Sequence, residues 1–248
     1  MPGRCSHAAH SVRAALCAAA LLSALVPATA QQLRRATVWD LKLGEPITAQ
    51  PSPAEFRGFA CGSNGGAPRQ PLTGWRDFAR CRAESDGLHE VYFEYDDELE
   101  YIARARDADR EITRWAGTTE VGFPVVVSAL FDPAGVLRGI RMVSDPRASS
   151  LERRMAHLLR LAVINRYEPN GWNCTDMPLA AGETPVGGGV FIKQRCEKAS
   201  SEKSLMVEAR FLRKPGQNEV DPATGEATSG QFESWTRFEI MDPNYRKP

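Results

Sequence analysis

The chain has 248 residues, 42% hydrophobic and 25% charged, with 31 basic against 31 acidic side chains. That composition belongs to a globular protein and excludes disordered and fibrous classes. So even a balance gives no reason to expect a nucleic acid or an anionic membrane as partner.

Residues 1–30 read as a secretory leader. Arg4 and Arg13 supply a basic start, Ala14 to Val26 an apolar core too short for an ordinary membrane span, and Ala28-Thr29-Ala30 a cleavage site before Gln31. No other stretch is apolar enough to cross a bilayer, so no integral membrane segment is expected after cleavage. Removal leaves 218 residues (248 − 30) and, with two basic residues gone, a formal charge of −2 (29 − 31).

Four cysteines remain after cleavage: Cys61, Cys81, Cys174 and Cys196. An even count in an exported chain reads as a disulfide framework. Of three possible pairings, Cys61–Cys81 and Cys174–Cys196 are the most local. Each encloses one turn-rich stretch. A zinc site would want a C-x-x-C or a nearby histidine, and neither is present.

Gln31 to Pro53 reads as an extended arm in which Val38 to Leu43 forms a strand, followed by three prolines in eight residues. Ala54 to Phe59 allows a short helical turn. Gly62-Ser63-Asn64-Gly65-Gly66 has the composition of an anion-binding nest. It lacks the lysine and following helix of a P-loop, so it reads as a flexible loop within the Cys61–Cys81 ring. Trp75 and Phe78 are expected to pack against that bridge.

Val91, Phe93 and Tyr95 alternate with Glu90, Tyr92 and Glu94, the period of a half-buried strand. At Asp96-Asp97 the period changes. Tyr101, Ala105, Ala108, Ile112 and Trp115 share one helical face, predicting an amphipathic helix over about 97–116 that Gly117 closes. A rival reading makes Leu99 to Ala105 a second strand, but it accounts for only half of the segment. Phe123 to Phe131 is β-branched and apolar on both faces, as in a central strand. Asp132-Pro133-Ala134-Gly135 is type I turn chemistry, and Val136 to Ser144 returns.

A second helix is predicted over about 149–167. Ser149 and Glu152 form a capping box, and Leu151, Met155, Leu158, Leu159 and Ala162 make its buried stripe. Three strands end the chain, at Val190 to Glu197, Leu205 to Arg213 and Phe232 to Ile240, as an antiparallel meander. The fold class is therefore α+β, an antiparallel sheet with two amphipathic helices and two disulfides. Residues 31–168 read as one module and 169–248 as a β-meander subdomain, either separate from it or continuous with it.

The stretch from Phe123 to Pro169, about a fifth of the chain, resembles the C-terminal domain of TonB-type periplasmic proteins. The resemblance rests on a hairpin with an Asp-x-x-Gly turn, a Val143-Ser144 exit, an amphipathic helix and an aromatic-x-Pro close at Tyr167-x-Pro169. The sequence departs from that pattern at Asp145-Pro146 and in lacking a membrane anchor.

The densest group of oxygen ligands is Glu94, Asp96, Asp97 and Glu98, with Glu100 beside it. Calcium would want six to eight oxygens in a loop pattern that is absent here, and a helix start already uses these acids. Outside the leader the only histidines are His89 and His157. No G-x-S-x-G, H-E-x-x-H or G-x-G-x-x-G occurs. Asn173-Cys174-Thr175 formally matches a glycosylation sequon. No catalytic residue, metal or cofactor is assigned. The expected function is a non-catalytic periplasmic or secreted protein that binds a protein or small-molecule partner. The alternative is a hydrolase-like enzyme using carboxylates around Asp96 and Asp97.

Overall fold

Two apolar runs joined by a four-residue turn make the centre of the sheet. β4 (Phe123–Phe131) and β5 (Leu137–Ser144) pair antiparallel. Asp132 organises the turn between them: its Oδ1 accepts from the Ala134 and Val136 amides at 2.9 and 3.0 Å. Gly135 supplies the left-handed φ of +77° that closes it. Every residue of β4 from Val125 onward is buried, so both of its faces are covered. This computed structural model describes residues 36–95, 105–107, 118–167, 169–186, 189–215, 219–220, 227–228 and 232–246.

Strands add on both sides of the hairpin. β2 (His89–Glu94) pairs with β4, and β1 (Arg57–Cys61) pairs with β2. On the other side β5 meets β11 (Glu233–Met241), followed by β8 (Ser204–Leu212), β7 (Ile192–Ala199) and β6 (Asn173–Asp176). All of these neighbours run antiparallel. β7, β8 and β11 are the expected meander, and through β11 it continues the sheet of the central hairpin. Short β3 (Thr119–Glu120) pairs with the start of β4. β9 (Glu219–Val220) and β10 (Ala227–Thr228) form a separate two-stranded ladder.

Both disulfides are the expected ones, Cys61–Cys81 and Cys174–Cys196, closing separations of 20 and 22 residues. Such bridges belong to an oxidising, extracytoplasmic environment. The second ties β6 to β7 at directly opposed positions. Among the described residues no helix is long and apolar enough to cross a membrane. The leader, residues 1–30, lies outside the described residues, as does nearly all of the helix expected over 97–116.

One face of the sheet carries the apolar core. Val91, Phe93, Val127, Phe131, Met142, Phe238 and Val207 are buried there. Trp75 is its largest member, with ring centroids of Phe56, Phe59 and Phe93 at 5.3, 4.7 and 5.0 Å in edge-to-face contact. Its indole N–H donates to the Pro51 carbonyl at 3.0 Å.

The arm corrects one expectation. Val38–Asp40 is a 3-10 turn and not part of a strand. Thr37 Oγ1 accepts from the Trp39 amide, and the Asp40 carboxylate reaches back to the Thr37 amide at 2.8 Å. That local capping box outweighs the β propensity of Val38 and Trp39.

The second helix is present but turned. α1 (Ser150–Met155) opens on the predicted Ser149/Glu152 capping box, and α2 (Leu159–Arg166) completes it. Between them Ala156–Leu158 tightens to a 3-10 turn. Two side chains of β11 cause this. Ser234 Oγ accepts from the His157 amide at 3.0 Å, and Thr236 Oγ1 donates to the Ala156 carbonyl at 2.8 Å. Side chains inserted into the helical ladder shift its register. Ala156, Leu159 and Val163 therefore face the sheet, whereas Leu151, Met155 and Leu158, read from sequence as buried, are exposed.

Candidate functional site

The sequence pointed to acids around the end of β2. Of these, Glu94 is described, and its carboxylate accepts a short hydrogen bond from the Tyr92 hydroxyl. Burial, with that carboxylate alongside, pushes the Tyr92 phenol up to about 12. Asp96, Asp97 and Glu98 lie outside the described residues. His89 donates from Nδ1 to the Cys81 carbonyl at 2.7 Å and packs edge-on to Phe78. His157 stacks on Phe211 and its Nδ1 lies 3.0 Å from Ser234 Oγ. Burial holds that imidazole below its usual range. Ser234 Oγ accepts from the His157 amide and lies within hydrogen-bond distance of the ring as well. No carboxylate orients the imidazole among the described residues, and the pair serves the helix bend. Nor do three His, Cys, Asp or Glu side chains among the described residues come together in a way that could hold a metal ion.

Two other charged regions emerge from the fold. The first lies on the sheet face opposite the core. Arg141 of β5 is buried there and forms ion pairs with Glu84 at 2.7 Å, Glu90 at 3.2 Å and Glu239 at 2.7 Å. Arg237 adds a 2.6 Å contact to Glu239. Burial raises the Glu90 carboxyl above its ordinary value despite Arg141. For Glu84 and Glu239 burial acts the same way, but the arginines beside them outweigh it and both fall below the ordinary value.

The glycine-rich loop closes over this network. The Asn64 amide donates to Glu90 Oε2 at 2.6 Å, and the Gly62 amide to the Glu90 carbonyl at 2.9 Å. A Cβ on Gly62 would come within 2.3 Å of the Glu90 side chain, and one on Gly65, at φ +87°, within 2.6 Å of Val143. Glycine is required at both positions by this close approach. The loop is thus fitted to the sheet, and one of its amides engages the chain's own carboxylate, Glu90.

The second region is a cavity of about 310 Å³ where α2 ends, lined by Arg166, Tyr167, Lys198, Ser200, Lys203 and Leu205. None of the six is acidic. Lys198, near the end of β7, donates from Nζ to the Tyr167 and Asn170 carbonyls at 2.8 and 3.0 Å. It thereby answers carbonyls that the helix end leaves open. Lys203 begins β8's approach and holds its ammonium 5.1 Å from the Tyr167 ring centroid. It has no ion-pair partner among the described residues. Arg166 lies over the Trp39 ring at 4.6 Å and reaches Glu120 Oε1 at 3.2 Å. Burial raises the Glu120 carboxyl, which weakens it as a counter-charge.

The cavity's walls explain its shape. Tyr167 is packed by Phe238 at 5.3 Å and Trp39 at 6.0 Å, so its ring is a fixed floor. Lys198 and Lys203 flank the tight turn between β7 and β8, which Ser200 closes through its amide to the Lys203 carbonyl at 2.9 Å. These lysines carry no motif, and sequence reading passed over them. The only available signal was two of the chain's six lysines bracketing one hairpin turn. Chemically, the arrangement presents positive charge and a hydroxyl around an aromatic floor, and that hydroxyl, of Ser200, donates to the Lys203 carbonyl at 3.1 Å.

No family model, no curated protein and no solved structure matches this chain.

Proposed function

We propose that the chain is an exported, non-catalytic binding protein that takes a small anionic ligand in the cavity at the end of α2. The observation that carries this reading is a 310 Å³ cavity whose lining, among the described residues, holds three cations and no acid. Cavities of this size suit small molecules, and desolvated lysine and arginine recognise carboxylate, phosphate or sulfate groups. The aromatic floor favours a ligand with an apolar portion beside the charged group. Export rests on the leader-like first 30 residues and agrees with the two disulfides. A hydrolase-like role for carboxylates near Asp96 and Asp97 has no observation in its favour among the described residues.

Calorimetric titration with inorganic phosphate, sulfate and benzoate tests the reading. Saturable binding of at least one, weakened several-fold in Lys203→Ala with the fold intact, is the expected result. Absence of saturable binding by all three, or binding indifferent to Lys203, would overturn it.

A further inference from the structure

We infer that the outer stripe of the α1–α2 helix is a peripheral docking surface for an anionic lipid headgroup layer. Leu151, Met155, Leu158 and Leu161 are 65%, 40%, 38% and 48% exposed, the largest run of exposed apolar side chains on any described element. They are there because Ser234 and Thr236 draw the helix into a 3-10 turn and commit Ala156, Leu159 and Val163 to the sheet. A helix with leucines projecting on one side and arginines around them fits an amphipathic segment lying in a membrane interface.

Charge selects the occupant. The whole chain is balanced, yet residues 147–166 hold five arginines and one glutamate, a net of +4 (5 − 1). Glu152 is turned back on the Ser149 amide at 3.0 Å by its capping role. Arg147 is paired with Asp145 at 2.7 Å, and Arg166 is turned toward Glu120 at 3.2 Å. Arg153 and Arg154 are exposed and have no ion-pair partner among the described residues. Arg154 stands three residues after Leu151, four before Leu158 and seven before Leu161, so it rises from the apolar stripe itself. Arginine stems can lie along apolar surface while the guanidinium meets a phosphate at the headgroup level.

Size argues against a second copy of this chain. A stable protein–protein interface takes roughly 20–30 residues a side with a packed apolar centre. Four apolar side chains on one helix are far fewer than that. They suffice for interfacial insertion when positive charge adds to it. This surface is separate from the cationic cavity, and neither proposal depends on the other.

The test is vesicle co-sedimentation of the chain recovered after leader removal, so that the apolar leader contributes nothing. Vesicles of equimolar phosphatidylcholine and phosphatidylglycerol are compared with pure phosphatidylcholine. Binding is expected only to the anionic vesicles and weakens as salt screens the headgroups. The pair Arg153→Glu and Arg154→Glu should cut the bound fraction about tenfold. The pair Leu158→Ser and Leu161→Ser should do the same; both residues are already exposed, and unchanged circular dichroism and melting confirm that the fold is kept. No binding by the parent chain, equal binding to neutral vesicles, or binding untouched by either pair would overturn the proposal. Concentration-dependent self-association without vesicle binding would overturn it in favour of a second copy.

Discussion

Arg141 and Lys203 show two uses of positive charge in one sheet. Arg141 lies under a loop with three carboxylates within 3.2 Å, and every direction its guanidinium faces is answered from within the chain. Lys203 stands at the mouth of an open cavity with an aromatic ring for a neighbour. The first arrangement is closed and pins separate segments together: Glu84 from the loop after Cys81, Glu90 from β2 and Glu239 from β11. The second leaves charge available to something that arrives from solvent. Burial alone does not mark a site; what matters is whether the chain supplies the counter-charge itself.

The largest expected effect comes from breaking the closed network. Arg141→Ala leaves three carboxylates facing one another and should cost about 3–5 kcal/mol, as when a buried charge loses its partner. Urea unfolding measures it, and a loss under about 1 kcal/mol would show that the network is incidental to the fold.

Next in size is the Cys174–Cys196 bridge. Removing both cysteines should cost roughly 3 kcal/mol in the chain-entropy model for a loop of this length. It frees β6, whose four residues are all exposed, from β7, which carries Lys198. Anion affinity should fall along with stability. A variant that melts lower but binds unchanged would separate the bridge from the cavity.

The network also predicts a shape for the stability–pH curve. Glu84 and Glu239 titrate below the ordinary carboxylate value of 4.5 when folded, so their contribution is present above it and lost as pH falls through their folded pKa. Glu90 has the opposite sign. Its folded pKa is raised, so the folded chain holds that proton more tightly than the unfolded one, and stability declines as pH rises from about 4.5 through the folded pKa. Glu90→Gln should remove the decline and leave the acid limb in place. An unchanged slope above pH 4.5, followed by thermal melts across pH, would contradict the assignment.

The smallest stability effect belongs to the open site. Lys203→Ala should change unfolding free energy by less than about 0.5 kcal/mol, as at other surface positions, while lowering anion affinity several-fold. Destabilisation comparable to that of Arg141→Ala would place Lys203 among the structural charges.

Local patterns were legible because their causes are local. The turn Asp132 to Gly135 and the Ser149/Glu152 capping box depend on residues within a few positions of one another, and the structure shows both. β2, whose alternation reads as half-buried, is instead buried on both faces from Glu90 to Phe93. Cysteine count and spacing led to the two bridges by the same economy of loop length. Where long-range contacts intervened, the sequence reading gave way. The helix exposes Leu151, Met155 and Leu158 of its predicted stripe because Ser234 and Thr236, some 80 residues later, hydrogen-bond to its middle. The glycine loop, read as flexible, is held by Glu90, 26 residues away from Asn64.

What the sequence determined by itself is the class of the molecule: its covalent framework, its strand-rich antiparallel fold and the central hairpin. These follow from periodicity, turn chemistry and thiol arithmetic, each a property of short stretches of chain. Only the tertiary structure decided which charges are locked into a closed network and which cations come together around a cavity. Glu90 and Arg141 look solvated in a strand pattern until a loop covers them, and Lys198, Lys203 and Arg166 share a cavity only because a hairpin turn meets the end of a helix. Ionisable side chains take their role from neighbours distant in sequence, since Coulomb and desolvation energies depend on distance and burial in space.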